Sequence, residues 1–364
     1  MKIGILTFHR AHNFGAFLQA FALKTFLEEK GHDVEFLDYW PKVHADGYKA
    51  YRAYEVHSLG SFMREVLMML LRMKKTRMFR KFQTRYLNVP LTPRYTDNTS
   101  LAGIEYDVLV YGSDQIWWKS RLKGEEGFDP LYWGEYLPQH IHKVTYAASM
   151  GVVSLSAENK ETIKGYLHNF KSIAVRESQL RDVLCELTDK EVHVTIDPTL
   201  LLTKQQWLTY CRTINESPYV LYYEVMSNEQ AEECAKHIAK ERGCKLIKLR
   251  GHIGTYKRLE KYTLSASPFD FISLIHSAEY IVSTSFHGVA FSVIFEKQFV
   301  ALGMGSNSGR VASLLTTLGI SERLIEDGAV ETIDTIAPID YHKVNQKLTQ
   351  VREHSVGYLS NIIV

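Results

Sequence analysis

Apolar and polar positions along this chain switch repeatedly between two periods. Short apolar runs at Lys2-Ile3-Gly4-Ile5-Leu6-Thr7, Asp33 to Leu37, Tyr106 to Tyr111, Lys143 to Ala147 and Ser172 to Val175 predict buried strands. Ala16 to Lys30 carries helical spacing instead and is closed by Gly31. Beyond Val192 to Thr195, the Asp197-Pro198 step breaks regular structure and is expected to mark a crossing between domains. A second alternation follows, with strands at Tyr219 to Tyr223, Lys245 to Leu249, Tyr280 to Val282 and Phe299 to Leu302. Helices are predicted at Asn228 to Arg242, Pro268 to Ser277, Val289 to Phe295, Val311 to Leu318 and Tyr341 to Ile363. Strands alternating with helices predict an α/β protein with parallel sheets covered on both faces. The expected division is residues 1–195, 196–335 and a terminal helix, 336–364, folding back on the first domain. Two such domains would leave a cleft between their carboxyl rims.

Length and composition agree with that plan. A chain of 364 residues is too long for one ordinary core and suits two. A formal net charge of +2 argues against a nucleic-acid specialist. The four cysteines, Cys185, Cys211, Cys234 and Cys244, form no CxxC pair, and no signal peptide or membrane-spanning run is evident, so a cytoplasmic setting is the expectation.

The candidate chemistry lies where strands end. Ser283-Thr284-Ser285-Phe286-His287-Gly288 joins a strand to a helix, so hydroxyls, an imidazole and free backbone N–H groups would converge on an anion. The plainer alternative is that the hydroxyls cap the helix and His287 is a satisfied core histidine. After the first strand, His9, Asn13 and Gln19 cluster where open sheets place ligands, although Asn13 is also a natural helix cap. That loop lacks GxGxxG, so a dinucleotide is poorly supported.

Gly112-Ser113-Asp114-Gln115-Ile116-Trp117-Trp118 combines an acid, an amide and aromatic faces, the chemistry that carbohydrate sites use. Its tryptophans would alternatively fill space between domains. Arg176, at a strand end beside a helix start, is placed to hold a carboxylate or phosphate in bidentate fashion, or else to pair with a local acid such as Glu177. No ligand set at recognisable metal spacing is present.

One segment stands apart. Residues 60–86 form a helical insertion crowded with Arg64, Arg72, Lys74, Lys75, Arg77, Arg80, Lys81 and Arg85. It would either contact an anionic membrane surface or a lipid-linked, phosphate-bearing substrate, or pack on its own domain through its Met and Leu stripe.

Together these motifs resemble the polysaccharide pyruvyl transferase family. The residues that carry the likeness are Gly4 to Phe8 with Asn13-Phe14-Gly15-Ala16, Tyr111 to Trp117, Val175 to Ser178, Ile196 to Leu201, Thr284 to Gly288, and Arg310 before Leu314-Leu315. The resemblance runs from Lys2 to about Leu324. It implies a GT-B-like fold, two Rossmann-like parallel-sheet domains facing a central cleft. It also implies transfer of a pyruvyl group from phosphoenolpyruvate, as co-substrate and with no further cofactor, to two hydroxyls of a sugar.

The product would be a cyclic ketal in a surface polysaccharide or its lipid-linked oligosaccharide precursor, with release of phosphate. On the family's pattern Arg176, His287 and Arg310 would hold the donor, with Ser285 and Gly288 beside them. One common form of the motif, Ser-Arg-Leu-His-Gly, has arginine where this chain has Ser285, so the cations for the donor are expected from Arg176 and Arg310. His287 and Asp114 are the expected acid and base. His9, Asn13, Gln19, Ser113, Gln115 and Trp117 are the expected acceptor side. Two other readings are a nucleotide-sugar glycosyltransferase on the same fold and a non-catalytic glycan or partner-binding member. The expected setting is cytoplasmic, with contact at the inner face of the membrane as the further option that the basic helix raises.

Overall fold

The computed structural model describes residues 1–51, 56–97, 101–120, 126–151, 153–251, 253, 260–303, 305, 308–325 and 336–363. The first half contains β1 (Lys2–Leu6), α1 (Phe14–Glu29), β2 (Asp33–Phe36), α2 (Lys42–Gly47) and α3 (Leu59–Leu87). It continues with β3 (Val108–Gly112), β4 (His142–Tyr146), α4 (Ala157–Leu167), β5 (Ile173–Val175), α5 (Ser178–Cys185) and β6 (Val192–Val194). Its strands are parallel in the order β2-β1-β3-β4, and β5-β6 form a parallel pair joined to the β4 side by bridges at Val144–Ser172 and Ala148–Val175. β3 is buried along its whole length, which is why it reads as a continuous apolar run.

The second half contains α6 (Lys204–Leu208), β7 (Tyr219–Glu224), α7 (Glu229–Glu241), β8 (Lys245–Arg250), α8 (Lys261–Ser265) and α9 (Pro268–Ser277). Then come β9 (Tyr280–Ser283), α10 (Phe286–Ile294), β10 (Phe299–Ala301), α11 (Ser308–Leu318) and α12 (Tyr341–Ile362). Its sheet is also parallel, in the order β10-β9-β7-β8. The fold is thus the α/β, GT-B-like arrangement of two Rossmann-like halves about a cleft.

In such sheets the loops diverge where strand order reverses, leaving a crevice at the carboxyl ends. The reversal falls between β1 and β3 in the first sheet and between β7 and β9 in the second. The loops after those four strands therefore meet across the cleft.

A seam of aromatic residues closes the base of the cleft. Phe14 of α1 stacks on Phe271 of α9 with ring centres 5.1 Å apart, and Phe21 packs edge-on against Phe269 at 5.6 Å and near Trp207 at 5.9 Å. One apolar cluster runs from Ile3 and Val110 of the first sheet through these rings to Leu221 and Ile281 of the second. Each such ring removed from water contributes on the order of 1.5–3 kcal/mol, so the halves are joined by core rather than by a hinge. α12 adds a strap. Its Tyr341 hydroxyl donates to the Lys297 carbonyl at one end, and its Tyr358 hydroxyl donates to Thr145 O of β4 at the other (2.9 Å).

α3 departs from the packing expected of its Met and Leu stripe. It opens with a capping box between Ser58 and Ser61 and closes at Asn88 in the left-handed conformation. Its buried face consists of Glu65, Met68, Arg72, Lys75, Phe79, Gln83 and Leu87. The reason is a set of backbone carbonyls beneath it. Arg72 donates to Ala50 O (2.9 Å), Lys75 to Gly251 O (2.9 Å) and Gln83 to His9 O (3.1 Å), while Arg72 also pairs with Glu65 at 2.8 Å. The side chains that match carbonyl groups turn inward beside Met68, Phe79 and Leu87, and the apolar residues left outside are those of the first turns, Leu59, Phe62, Met63, Leu67 and Leu70. No helix among the described residues is long and apolar enough to cross a membrane.

Candidate functional site

α10 begins directly at the end of β9, and its N-cap residue Ser285 makes no side-chain capping bond. Its first-turn N–H groups thus lack the usual side-chain acceptor, and the positive end of the helix dipole opens into a cavity of about 270 Å³ between the halves. Asn13, Asp114 and Gln115 line it from the first half, and Thr284, Ser285, His287 and Arg310 from the second.

Asp197 organises the charge behind this wall. It is fully buried, and its Oδ2 accepts from Arg176 Nη1 at 2.6 Å and Ser113 Oγ at 3.0 Å. Its Oδ1 accepts from Thr199 N (3.0 Å) and Oγ1 (2.7 Å). His287 Nε2 lies 3.7 Å from Oδ2, beyond hydrogen-bond reach but within ion-pair range. Burial alone would raise the Asp197 carboxyl; His287, the Arg176 guanidinium and the Thr199 N–H outweigh it and hold the group well below the usual carboxylate range. The carboxylate is accordingly a fixed negative charge.

Around it, donors exceed acceptors. Arg176 spends one nitrogen on Asp197, rests its guanidinium on the face of Phe286 at 4.7 Å, and leaves buried Nε and Nη2 without a hydrogen-bond partner among the described residues. His287 Nε2 and Arg310 Nε are likewise buried and have no hydrogen-bond partner among the described residues. Burial, reinforced by the neighbouring Arg176 charge and opposed by Glu177, Asp114 and Asp197, pulls the Arg310 guanidinium down to about 10. Burial raises the Glu177 carboxyl despite Arg176 and Arg310, and Glu177 accepts from the Ser149 hydroxyl. Unsatisfied buried donors are costly unless something fills them, and a carboxylate or phosphate supplies the missing acceptors.

The position of His287 depends on a glycine in the other half. A Cβ at Gly15 would lie 2.0 Å from His287 Nδ1, so the imidazole sits against bare backbone of α1. Asn13 caps that helix, its Oδ1 accepting from Gly15 N (2.8 Å) and Ala16 N (3.2 Å). Gly288 serves packing instead of the cavity: a Cβ there would meet Ser283 Oγ at 2.1 Å and the Tyr223 ring at 2.9 Å. Asp114 faces His287 from across the cavity in a left-handed backbone conformation (φ 66°), and its Oδ1 accepts from Gln115 N at 2.9 Å.

Of the residues expected from the sequence, Asn13, Asp114, Gln115, Ser285, His287 and Arg310 meet on one cavity, with Arg176 adjoining through Asp197. Four others stand behind the wall. His9 is fully buried, its Nδ1 2.9 Å from Thr7 O and its Nε2 3.0 Å from Asp38 Oδ1. Gln19 donates to Thr7 Oγ1 (3.0 Å) and Ala16 O (2.9 Å), and Ser113 holds Asp197. Trp117 stacks on Trp133 at 4.3 Å and donates its indole N–H to Tyr132 O (2.9 Å).

The neighbouring Trp118 is 42% exposed and lines a second cavity of about 390 Å³ that shares Phe8 with the first. Ser306 and Asn307, in the loop before Arg310, lie outside the described residues. Asp197 was not among the expected site residues, and Thr284 was expected only as one of the hydroxyls at the anion-facing junction. The Asp-Pro step that reads as a chain break was the signal for the former; Thr284 Oγ1 accepts from Val225 N (2.9 Å) and Met226 N (3.2 Å), tying the β7 and β9 loops together.

The model of one family, polysaccharide pyruvyl transferase, matches residues 13–306 of the chain. No curated protein matches it in sequence. Solved structures that align along nearly its whole length include glycosyltransferase SsfS6 of Streptomyces sp. SF2575 complexed with thymidine diphosphate, 11% identical, covering 98% of this chain and 96% of that one with a TM-score of 0.42. The E. coli heptosyltransferase WaaC with ADP aligns at 10% identity over 96% and 100%, TM-score 0.41. UDP-GlcNAc 2-epimerase of Methanocaldococcus jannaschii, in complex with UDP-GlcNAc and UDP, aligns at 14% identity over 97% and 100%, TM-score 0.48.

Proposed function

The chain belongs to the polysaccharide pyruvyl transferase family, transferases of polysaccharide synthesis, and on that premise we propose that it moves a pyruvyl group from phosphoenolpyruvate to two hydroxyls of one sugar. The observation that carries this reading is the set of buried, unpartnered donors on Arg176, His287 and Arg310 beside the uncapped start of α10. Phosphoenolpyruvate places a carboxylate and a phosphate on one vinyl carbon, and two guanidinium groups with a helix N-terminus match that pair of anions.

The first sugar hydroxyl attacks the carbon bearing the phosphate, and the methylene carbon gains a proton. The C–O bond to phosphate breaks, and the second hydroxyl closes the ketal on the same carbon. Of the two hydroxyl protons, one ends on the new methyl group and the other leaves with phosphate. His287, held toward the fixed charge of Asp197, is the acid; Asp114, across the cavity, takes the proton of the attacking hydroxyl. Asn13 and Gln115 flank the reacting sugar, and neighbouring sugars of a polysaccharide or lipid-linked oligosaccharide extend over Trp118 and Tyr136 in the second cavity.

The test is a thermal-shift titration with phosphoenolpyruvate, against pyruvate, inorganic phosphate and UDP-sugars. A ligand at a hundred times its Kd stabilises the native state by about 2.7 kcal/mol. A shift with phosphoenolpyruvate that is lost in Arg310→Ala is the expected result. A shift with UDP-sugars alone would replace this reading with nucleotide-sugar glycosyl transfer.

A further inference from the structure

Over its first three turns α3 leaves apolar side chains outside. Its inner face carries Glu65, Arg72, Lys75 and Gln83 together with Met68, Phe79 and Leu87, while Leu59 is 78% exposed, Met63 67%, Leu70 54% and Leu67 51%, with Phe62 beside them. Positions 63, 67, 70, 74, 77 and 81 follow one another at alternating steps of four and three, so they form a single line along the helix. Along that line the chemistry changes once. The end from Leu59 to Leu70, about 17 Å long at the helical rise, is aliphatic along that line, with Arg64 exposed to one side of it. The end from Lys74 through Arg77 to Lys81 is cationic and exposed, and these three residues form no ion pair among the described residues. The helix contains one acid, Glu65, and it is buried against Arg72.

We propose that this face docks on an anionic lipid bilayer, the aliphatic end entering the boundary between headgroups and acyl chains and the cationic end resting on lipid phosphates. Charge decides the occupant. A second copy of the chain, related by two-fold symmetry, would lay the helices either parallel, with cations facing cations, or antiparallel, with unpaired cations buried against leucines. A bilayer accepts both ends at once. The opposite face of α3 contributes Lys75 and Thr76 to a cavity that shares Tyr48 with the cavity lined by His287, so a docked α3 would lie between the lipid surface and the cleft.

The experiment is co-sedimentation of the full chain with phosphatidylcholine vesicles, with and without phosphatidylglycerol, alongside light scattering of the lipid-free protein. The expected result is binding that requires the anionic lipid, weakens in salt, and falls about tenfold or more in Leu67→Ser/Leu70→Ser and in Lys74→Glu/Arg77→Glu/Lys81→Glu. All these side chains are on the surface, and thermal unfolding of the variants checks that they fold. In a Met63→Trp variant, emission should shift to the blue on anionic vesicles only.

No sedimentation with anionic vesicles, or sedimentation unchanged in both variants, would overturn the proposal. So would a dimer dissolved by the serine substitutions in a protein that ignores lipid. None of these readouts depends on turnover, so the docking face and the proposed transfer reaction stand or fall separately.

Discussion

His9, Arg10 and Asp38 behind the first sheet, and His287, Arg176 and Asp197 at the cleft, are the same three side-chain types, all nearly inaccessible to solvent. In the first trio every contact is closed. Arg10 pairs with Asp38 through Nε (2.5 Å) and Nη2 (2.7 Å), and its Nη2 also reaches Pro90 O (2.8 Å) and Thr92 O (3.0 Å). His9 has a partner on each ring nitrogen, and Asp38 further accepts from Arg94 N at 3.0 Å. Burial would lift the Asp38 carboxyl, but hydrogen bonds from Arg10 and His9 outweigh it and hold the group low. In the second trio the arginine makes one bond to the aspartate, and donors are left over on Arg176 and His287. Residue type and burial are equal; what differs is the set of unpartnered nitrogens, which on the proposed reading marks the cleft trio as the binding site and the first as a structural brace.

Three experiments test that distinction, in decreasing order of effect. Replacing His287 by alanine should lower phosphate release by about a thousandfold, on the order of 4 kcal/mol of transition-state stabilisation, with a melting temperature near the parent's. Turnover that survives the change in a folded protein would make the cleft trio another brace. Asp38→Ala should behave in the opposite way. Leaving Arg10 buried without its counter-charge costs about 3 kcal/mol in urea unfolding, while turnover per folded molecule stays at the parental level. A selective loss of turnover would put the first trio in the site as well.

Lys75 sharpens the contrast with a buried cation whose one hydrogen-bond partner among the described residues is a carbonyl. Its ammonium lies over the Phe14 ring at 5.1 Å, and burial lowers its pKa to about 8. Between about pH 8 and the unfolded value near 10.5 the unfolded chain binds more protons, so stability should rise with pH across that window. Lys75→Met should remove the rise and stabilise the protein at neutral pH by about 2 kcal/mol, read as the difference between the two pH–stability curves. Equal curves would show that Lys75 is solvated in a way its surroundings do not suggest.

The alternation of apolar runs and helical segments was enough to place the strands, because parallel strands buried on both faces leave an unbroken apolar trace. The ends of those strands likewise pointed to Asn13, Asp114, Gln115, Ser285 and His287, and the family resemblance added Arg310. What stayed hidden was set by distant partners. Trp117 and Trp118 are neighbours in sequence, and only the stacking of Trp133 decides which is core and which faces solvent. The same holds for α3, where the carbonyls of Ala50 and Gly251 draw Arg72 and Lys75 onto the inward face beside Met68, Phe79 and Leu87. Asp197 looks like a chain break until Ser113, Arg176 and Thr199 gather around it.

The aromatic seam and the Gly15 contact also bear on recombination. Hybrids that join the first half of this protein to the second half of a relative inherit two surfaces that were shaped against each other. One is the interlock of Phe14 and Phe21 with Phe269, Phe271 and Trp207; the other is the bare backbone at position 15 that makes room for the imidazole at 287. A crossover point in the linker after Val194 therefore transfers specificity intact only when α1 travels together with the α9–α10 region. The unit of exchange in this fold is the seam, and it does not coincide with either half.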